Sequence, residues 1–523
     1  MPPRAPAPGS LASLRPLVFA SSRRPGYNRT VLFRPRSNRV FRLALLPALA
    51  LWISSCTVPL GPGYTIEKQT VQVHFVPGTD PRIAVDANYD LRNSGTQPLP
   101  SIEIRLPGPR RFRVTQLRAE WDAAPLQSEP PSEFVSRPRD TLFVLPVPWP
   151  PRQGHRLHLA FEFGRPVGEA SQLNFAADAF YLPAEGWDPE LIPARGLFGS
   201  GGIPPKKWEL SVRVPQGFLV HASGREGKTE RAGGENVVKF TQHPGDHYPF
   251  VVAGQYTATR FDSAGQTIYI WTRTSQEQAA LQQAQDSLAR AIRAYDAVFG
   301  TRRKDARALW IAECPVAGSC VPRLSPAMTR LLLPENVTIA EVASLDSVLV
   351  DLSAGFPGFA VAAAPSLAAS WLGYGQNPAF WEQEPPISAL PIFAAALGRE
   401  AIEGPQVRSE IIRRALASIP LGAQAQNGQE THAREKGLLF FYALQDQYGQ
   451  QPLANALRDM IQARRQRGFN LDDLIAALEA ETHQNTAAFV RLWLKHPGIP
   501  QEFRARYAND AAPAVTSSKE MLP

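Results

Sequence analysis

The periodicity of apolar residues changes once along this chain, and that change limits the fold more than any other feature. Residues 65–262 carry short alternating or β-branched runs at Thr70–Phe75, Arg82–Asn88, Ser101–Leu106, Thr141–Val147, Arg156–Phe163, Trp208–Val214 and Asn236–Thr241. Turns rich in Pro, Gly and Asn separate them. A period of two sends alternate side chains into one core. No long amphipathic helix interrupts the series, so an antiparallel β saddle or sandwich is expected. The proline count, 50 of 523 residues, is about twice ordinary usage and agrees with loop-rich β structure.

Beyond about residue 265 the pattern turns helical. Gln266–Thr272 reads as one more strand. A long helix is predicted from Ser275 to Phe299, with Gln278 closing a capping box. Ala306–Glu313 and Arg330–Leu333 read as short strands. After residue 338 the chain is mostly helix: Leu471, Leu474, Ile475 and Leu478 repeat at i, i+3, i+4 and i+7. The expected organisation is a leader at 1–55, a tether at 56–64, a β domain at 65–262, a mainly helical domain with a small sheet at 263–505, and a tail at 506–523.

The formal charge of +8 suggests a nucleic-acid binder until the charges are located. Residues 1–55 contain nine arginines, no lysine and no acidic residue. Without those nine, 46 basic residues face 47 acidic ones. A neutral body has no general attraction for phosphate backbones, so nucleic acid is not an expected partner. The local patch Arg464, Arg465 and Arg467 reads as a solvated helix face.

Arg36, Arg39 and Arg42 precede an apolar run of eleven residues, Leu43–Ile53. That run is too short to cross a bilayer as a helix and reads as a signal peptide. Its end, Ile53-Ser54-Ser55-Cys56, resembles the bacterial lipobox. The resemblance implies a lipid on Cys56, a membrane as partner through that anchor, and a place in the bacterial cell envelope on the periplasmic face of a membrane. By resemblance to enterobacterial sorting, Thr57 after the cysteine favours the outer membrane. The other two cysteines, Cys314 and Cys320, flank a loop-like segment and are expected to pair in an oxidising compartment.

Lys207–Pro215, Ala222-Ser223-Gly224 and Tyr248–Gly254 resemble the end of the saddle domain in the aminopeptidase N family of gluzincin zinc metallopeptidases. Tyr295–Gly300 resembles its Y-x-x-x-F-G helix end, and Ser370-Trp371-Leu372-Gly373 the segment after its zinc helix. Lys436-Gly437 with the following Leu438–Gly449, Leu471–Thr482 and Phe489–Pro500 resemble its closing helices. The resemblance implies a β saddle followed by a thermolysin-like, mainly helical domain. It also implies a zinc ion held by two His of His-Glu-x-x-His and a later Glu, with a Tyr stabilising the oxyanion.

Anchored on Ser370–Gly373, the family positions fall on residues without that chemistry. Pro365 and Ala369 replace the two His, Ser366 the Glu base, Ser388 (nineteen residues beyond Ala369) the third ligand, and Arg434 the Tyr. The substrate-amine motif Gly-x-Met-Glu-Asn aligns with Pro326–Arg330, which lacks both Glu and Asn. Pro and Ala side chains offer no donor atom and Ser is a poor zinc ligand. The expectation is therefore no catalytic residue, no metal and no cofactor, in a peptidase-like chain that binds or scaffolds.

Replacement sites are sparse. His243 and His247 flank a turn. His155 and His158 are three apart on a predicted strand and so on opposite faces. His432, His483 and His496 are isolated in sequence. Gly199–Gly202 is a flexible loop and no nucleophile elbow. Glu382 and Glu384 are carboxylates near the degenerate cleft. Two alternatives follow: an active peptidase or other hydrolase using a non-family site in the interdomain cleft, and a purely structural envelope protein. Candidate partners are a peptide or another envelope protein.

Overall fold

The computed structural model describes residues 63–105, 113–127, 140–164, 176–184, 186–192, 202–243, 249–302, 308–316, 320, 326–334, 337–353, 355–372, 387–419, 432–464, 469–495 and 498–508. The N-terminal region is built on an eight-stranded sheet. Its spatial order is Arg225–Ala232, Glu235–Thr241, Trp208–Pro215, Tyr64–Val76, Arg82–Asn93, Gly154–Gly164, Arg113–Trp121 and Ala124–Pro125. Neighbours run antiparallel, with one exception: Tyr64–Val76 lies parallel to Trp208–Pro215, pairing Val71 with Leu210 and Val73 with Val212.

The alternation legible in the sequence selects the buried face. Val71, Val73 and Phe75 point inward, as do Ile83, Val85, Ala87, Tyr89 and Leu91. Two three-stranded sheets cover that face: Asp140–Trp149, Leu99–Arg105 and Glu190–Ile192; and Leu219–Ala222, Val251–Gly254 and Ala179–Leu182. Phe143, Ile104, Leu191, Phe180 and Val251 join the same core.

The second region begins earlier than its helices do. Thr257–Ser263 pairs with Gln266–Thr272 and opens a five-stranded mixed sheet that continues through Leu309–Glu313, Ser347–Val350 and Glu341–Ser344. The helix expected from Ser275 starts at Gln278, and its N-cap Glu277 makes no side-chain capping bond, so the predicted capping box is not formed. Arg330–Leu333, expected as a strand, lies largely in the helix Pro326–Leu332. A short leucine run suits a buried helix as well as a strand, and here Leu331–Leu333 enter a helical core.

Gln278–Phe299 buries Leu281, Ala284, Leu288, Ala291, Ile292 and Tyr295 at intervals of three and four. Against this stripe pack Phe359–Leu367 and Leu390–Glu403. Gly398 allows that approach: a Cβ there would lie 1.8 Å from the Tyr295 hydroxyl oxygen. Ala433–Tyr448, Gln450–Arg464 and Leu471–Thr482 extend the bundle. The last of these carries a true capping box between Asn470 and Asp473.

Candidate functional site

The helix Phe359–Leu367 occupies the place of the zinc helix in the resemblance. Its sequence, FAVAAAPSL, is small and apolar, and all its residues but Val361 are buried. Pro365 sits inside it and withholds one N–H. The chain passes through Ala368, in helical conformation, into the short helix Ala369–Leu372.

The polar groups around this helix are committed to the fold. The Ser366 hydroxyl donates to the Ala340 carbonyl at 2.5 Å, and the Ala340 N–H donates to the Ala362 carbonyl at 3.0 Å. The residue that leads into the edge strand Glu341–Ser344 is thus bonded directly to the helix. On the opposite side the Tyr295 hydroxyl donates to the Ala364 carbonyl at 2.7 Å. The Trp371 indole N–H donates to Asp296 at 2.8 Å, and the Ser370 hydroxyl to the Leu345 carbonyl. Ser388 is buried in the turn Ile387–Ala389. Arg434 stands exposed in the first turn of Ala433–Tyr448.

These residues do not fit a zinc ion. Pro365 and Ala369 present no donor atom, and the Ser366 oxygen is held by a backbone carbonyl. Among the described residues, no group of three or more His, Cys, Asp or Glu is placed to hold a metal ion. Pro326–Arg330 lies on the helix Pro326–Leu332.

The joint between the two regions is closed by ring packing and polar links. His221 stacks on Trp310 at 3.9 Å, and Trp310 on Tyr269 at 4.2 Å. His221 Nε2 meets the Ser347 hydroxyl at 2.8 Å, the Tyr181 hydroxyl donates to Glu341 at 3.1 Å, and Arg273 pairs with Asp178 at 2.5 Å. Cys314 and Cys320 are joined as a disulfide, with Cα atoms 6.0 Å apart, and pack with Tyr181, Phe250 and Trp271.

Among the described residues, the histidines do not form one centre. His158 faces the outer side of the large sheet, where Nε2 lies 2.9 Å from Asp86 and Nδ1 3.4 Å from Glu120. Burial alone would lower its pKa; the bonds and charges of those two carboxylates outweigh this and raise it. His155 stacks on Trp121 at 5.0 Å and meets Asp122 at 2.5 Å. Both line one open polar trough with Asp86, Asp90 and Arg156, a surface of compensated ion pairs. His243 follows the strand Glu235–Thr241, His432 is the N-cap of Ala433–Tyr448, and His483 ends Leu471–Thr482 in a left-handed conformation. Cys56, Gly199–Gly201, His247, Glu382, Glu384, Arg465, Arg467 and His496 lie outside the described residues.

One cluster had no sequence signal. Asp188 accepts from the Gln69 amide at 2.5 Å and from the Tyr89 hydroxyl at 3.1 Å. Burial raises its carboxyl pKa to about 7 against the lowering effect of those two bonds, and the Glu190 charge adds to the rise. The buried Gln69 Oε1 has no protein partner among the described residues.

The architecture matches solved structures. An M1 zinc metallopeptidase from Deinococcus radiodurans, 16% identical, superimposes with a TM-score of 0.51 over 84% of this chain and 95% of its own. The chain has the two-domain fold of the M1 zinc metallopeptidases. A point mutant of a two-domain M1 zinc metallopeptidase bound to L-arginine gives 0.53, again at 16% identity, over 84% of this chain and 95% of that one. No family model and no curated protein matches the sequence. No described helix is long and apolar enough to cross a membrane. The M1 fold is thus present, and the helix Phe359–Leu367 is packed as core.

Proposed function

We propose that this chain is an exported lipoprotein, tethered through Cys56 to the periplasmic face of a bacterial membrane, that keeps an M1 peptidase-like fold without peptidase chemistry. It acts as a scaffold or binding protein of the cell envelope. The outer membrane is the favoured location. The observation that carries the loss of activity is the direct bond from Ser366 to the Ala340 carbonyl. A residue at the position of a general base is spent on holding a strand against the helix, and its neighbours Pro365 and Ala369 have nothing to offer a metal.

A purely structural role is the second reading. It is favoured by the joint, where His221, Trp310, Trp271, Phe250 and Tyr181 fill the space between the regions. Under both readings, partners meet surfaces other than the degenerate helix.

The test pairs two measurements on protein extracted from membranes. The mass of the mature N-terminus should include a diacylglycerol and an acyl chain on Cys56. Hydrolysis of an aminoacyl reporter with added zinc should not exceed the buffer rate. Turnover that needs zinc and stops with chelator overturns the non-catalytic reading; an unmodified cysteine overturns the anchor.

A further inference from the structure

Four large hydrophobic side chains are exposed among the described residues: Val144, Val147, Leu492 and Leu494. The first two belong to a run with no polar side chain at all, Leu142 to Pro151 (LFVLPVPWPP). Val147 is the most open of the four, at 69%, and its neighbours Pro146 and Pro148 are exposed as well. Water gains nothing from this surface, so its position in the molecule matters.

That position is where the described chain begins. The Gly63 carbonyl accepts the N–H groups of Ser94 and Gly95 at 3.1 and 3.0 Å. Asn93 in turn donates its side-chain amide to the Trp149 carbonyl at 2.9 Å, and its own carbonyl accepts the Arg152 N–H at 2.8 Å. The Tyr64 and Trp149 rings lie 5.7 Å apart. Gly63, Trp149 and Arg152 are therefore one fastened cluster, with Val147 two residues from its centre. Seven residues lead from Cys56 to Gly63, and a chain of that length spans at most about 25 Å. A lipid on Cys56 holds this end of the β region close to the bilayer.

We propose that the Pro146–Val147–Pro148 surface, flanked by exposed Arg152, rests on the lipid surface that carries the anchor. This rests on the lipoprotein reading above. The occupant is lipid rather than an added peptide strand. Pro146 and Pro148 lie in the irregular stretch between the Ser101–Val144 and Leu99–Trp149 pairs, and neither has an N–H to offer a partner strand. Valine and proline enter the boundary between headgroups and acyl chains, while Arg152 stays at headgroup level. The contact fixes the orientation of the β region on the membrane; the acyl chains supply the affinity.

The experiment uses full-length, lipidated protein on vesicles of zwitterionic and anionic phospholipid. Val147→Cys is labelled with an environment-sensitive dye, with Val144→Cys as a second site and Thr229→Cys, on the wholly exposed strand Arg225–Ala232, as the reference. Vesicles should shift the emission at 147 to the blue and abolish its quenching by iodide, with a smaller effect at 144 and none at 229. Vesicle-bound protein whose label at 147 stays fully quenchable overturns the docking and leaves the anchor intact. Protein that fails to sediment with vesicles and carries no lipid on Cys56 overturns both. Shielding at 147 that needs no vesicles and grows with protein concentration assigns the surface to a second copy and overturns the proposal.

Discussion

Replacing Ser366 by Glu restores the residue type that the zinc-helix resemblance calls for and places it where the structure has no room. Ser366 is 5% exposed, and its hydroxyl holds the Ala340 carbonyl at 2.5 Å. Ser366→Glu removes that bond, at about 1–2 kcal/mol. It also forces one further methylene and a carboxyl into packed space, at about 1–3 kcal/mol, and the carboxyl must stay protonated or unpaired. The sum is about 4 kcal/mol, a large part of the stability of an ordinary domain. Ser366→Ala loses only the hydrogen bond and should cost about 1 kcal/mol. Urea unfolding followed by the emission of buried Trp371, which sits just beyond the helix, reads both. With an m-value of about 3 kcal/mol/M, Ser366→Glu should lower the midpoint by more than 1 M. A Ser366→Glu variant as stable as the parent would mean that this side chain faces an open cleft, and the packed-helix argument would fail.

Other parts of the structure give their own tests. Tyr295→Phe removes the bond to the Ala364 carbonyl and should cost about 1–2 kcal/mol by thermal or urea unfolding. Gly398→Ala should cost more, because its Cβ meets the Tyr295 hydroxyl, and the double variant should cost less than the sum. The folded-state pKa of Asp188, about 7, lies above the usual value of 3.8, so the folded state binds this proton more tightly than the unfolded one. Its contribution is complete below pH 4, declines as pH rises to 7, and is lost above that. Asp188→Asn, whose amide can serve the orphaned Gln69 Oε1, should be near neutral at pH 5 and stabilising at pH 8; the opposite ranking in melting curves would refute this. Replacing Cys314 and Cys320 by Ser releases a short loop and should cost about 2 kcal/mol, read as a lower melting temperature that reductant reproduces in the parent.

The strands were legible because one face of each is buried, so that Val71, Val73 and Phe75 advertise their direction locally. Their partners were not. The parallel pairing of Tyr64–Val76 with Trp208–Pro215 joins segments over 130 residues apart, and no local pattern encodes it. Arg330–Leu333 misled for a related reason: a leucine run reports burial, not period. Ser275 followed by Gln278 has capping-box spacing, yet the helix starts after Glu277, which makes no side-chain capping bond. In the candidate site, the family positions came from order and spacing around Ser370-Trp371-Leu372-Gly373. The contacts that pack this helix, Ser366 on Ala340 and Tyr295 on Ala364, span 26 and 69 residues. The Asp188 cluster draws on three separate segments and becomes visible only when folded.

On the proposed reading, the M1 fold has here lost its metal. Equilibrium dialysis of purified residues 57–523 against micromolar zinc, followed by elemental mass spectrometry, tests it most directly. Bound zinc should stay well below one ion per chain, unchanged by Ser388→Ala. About one tightly held zinc ion per chain, released by chelator together with a peptidase activity, would contradict it.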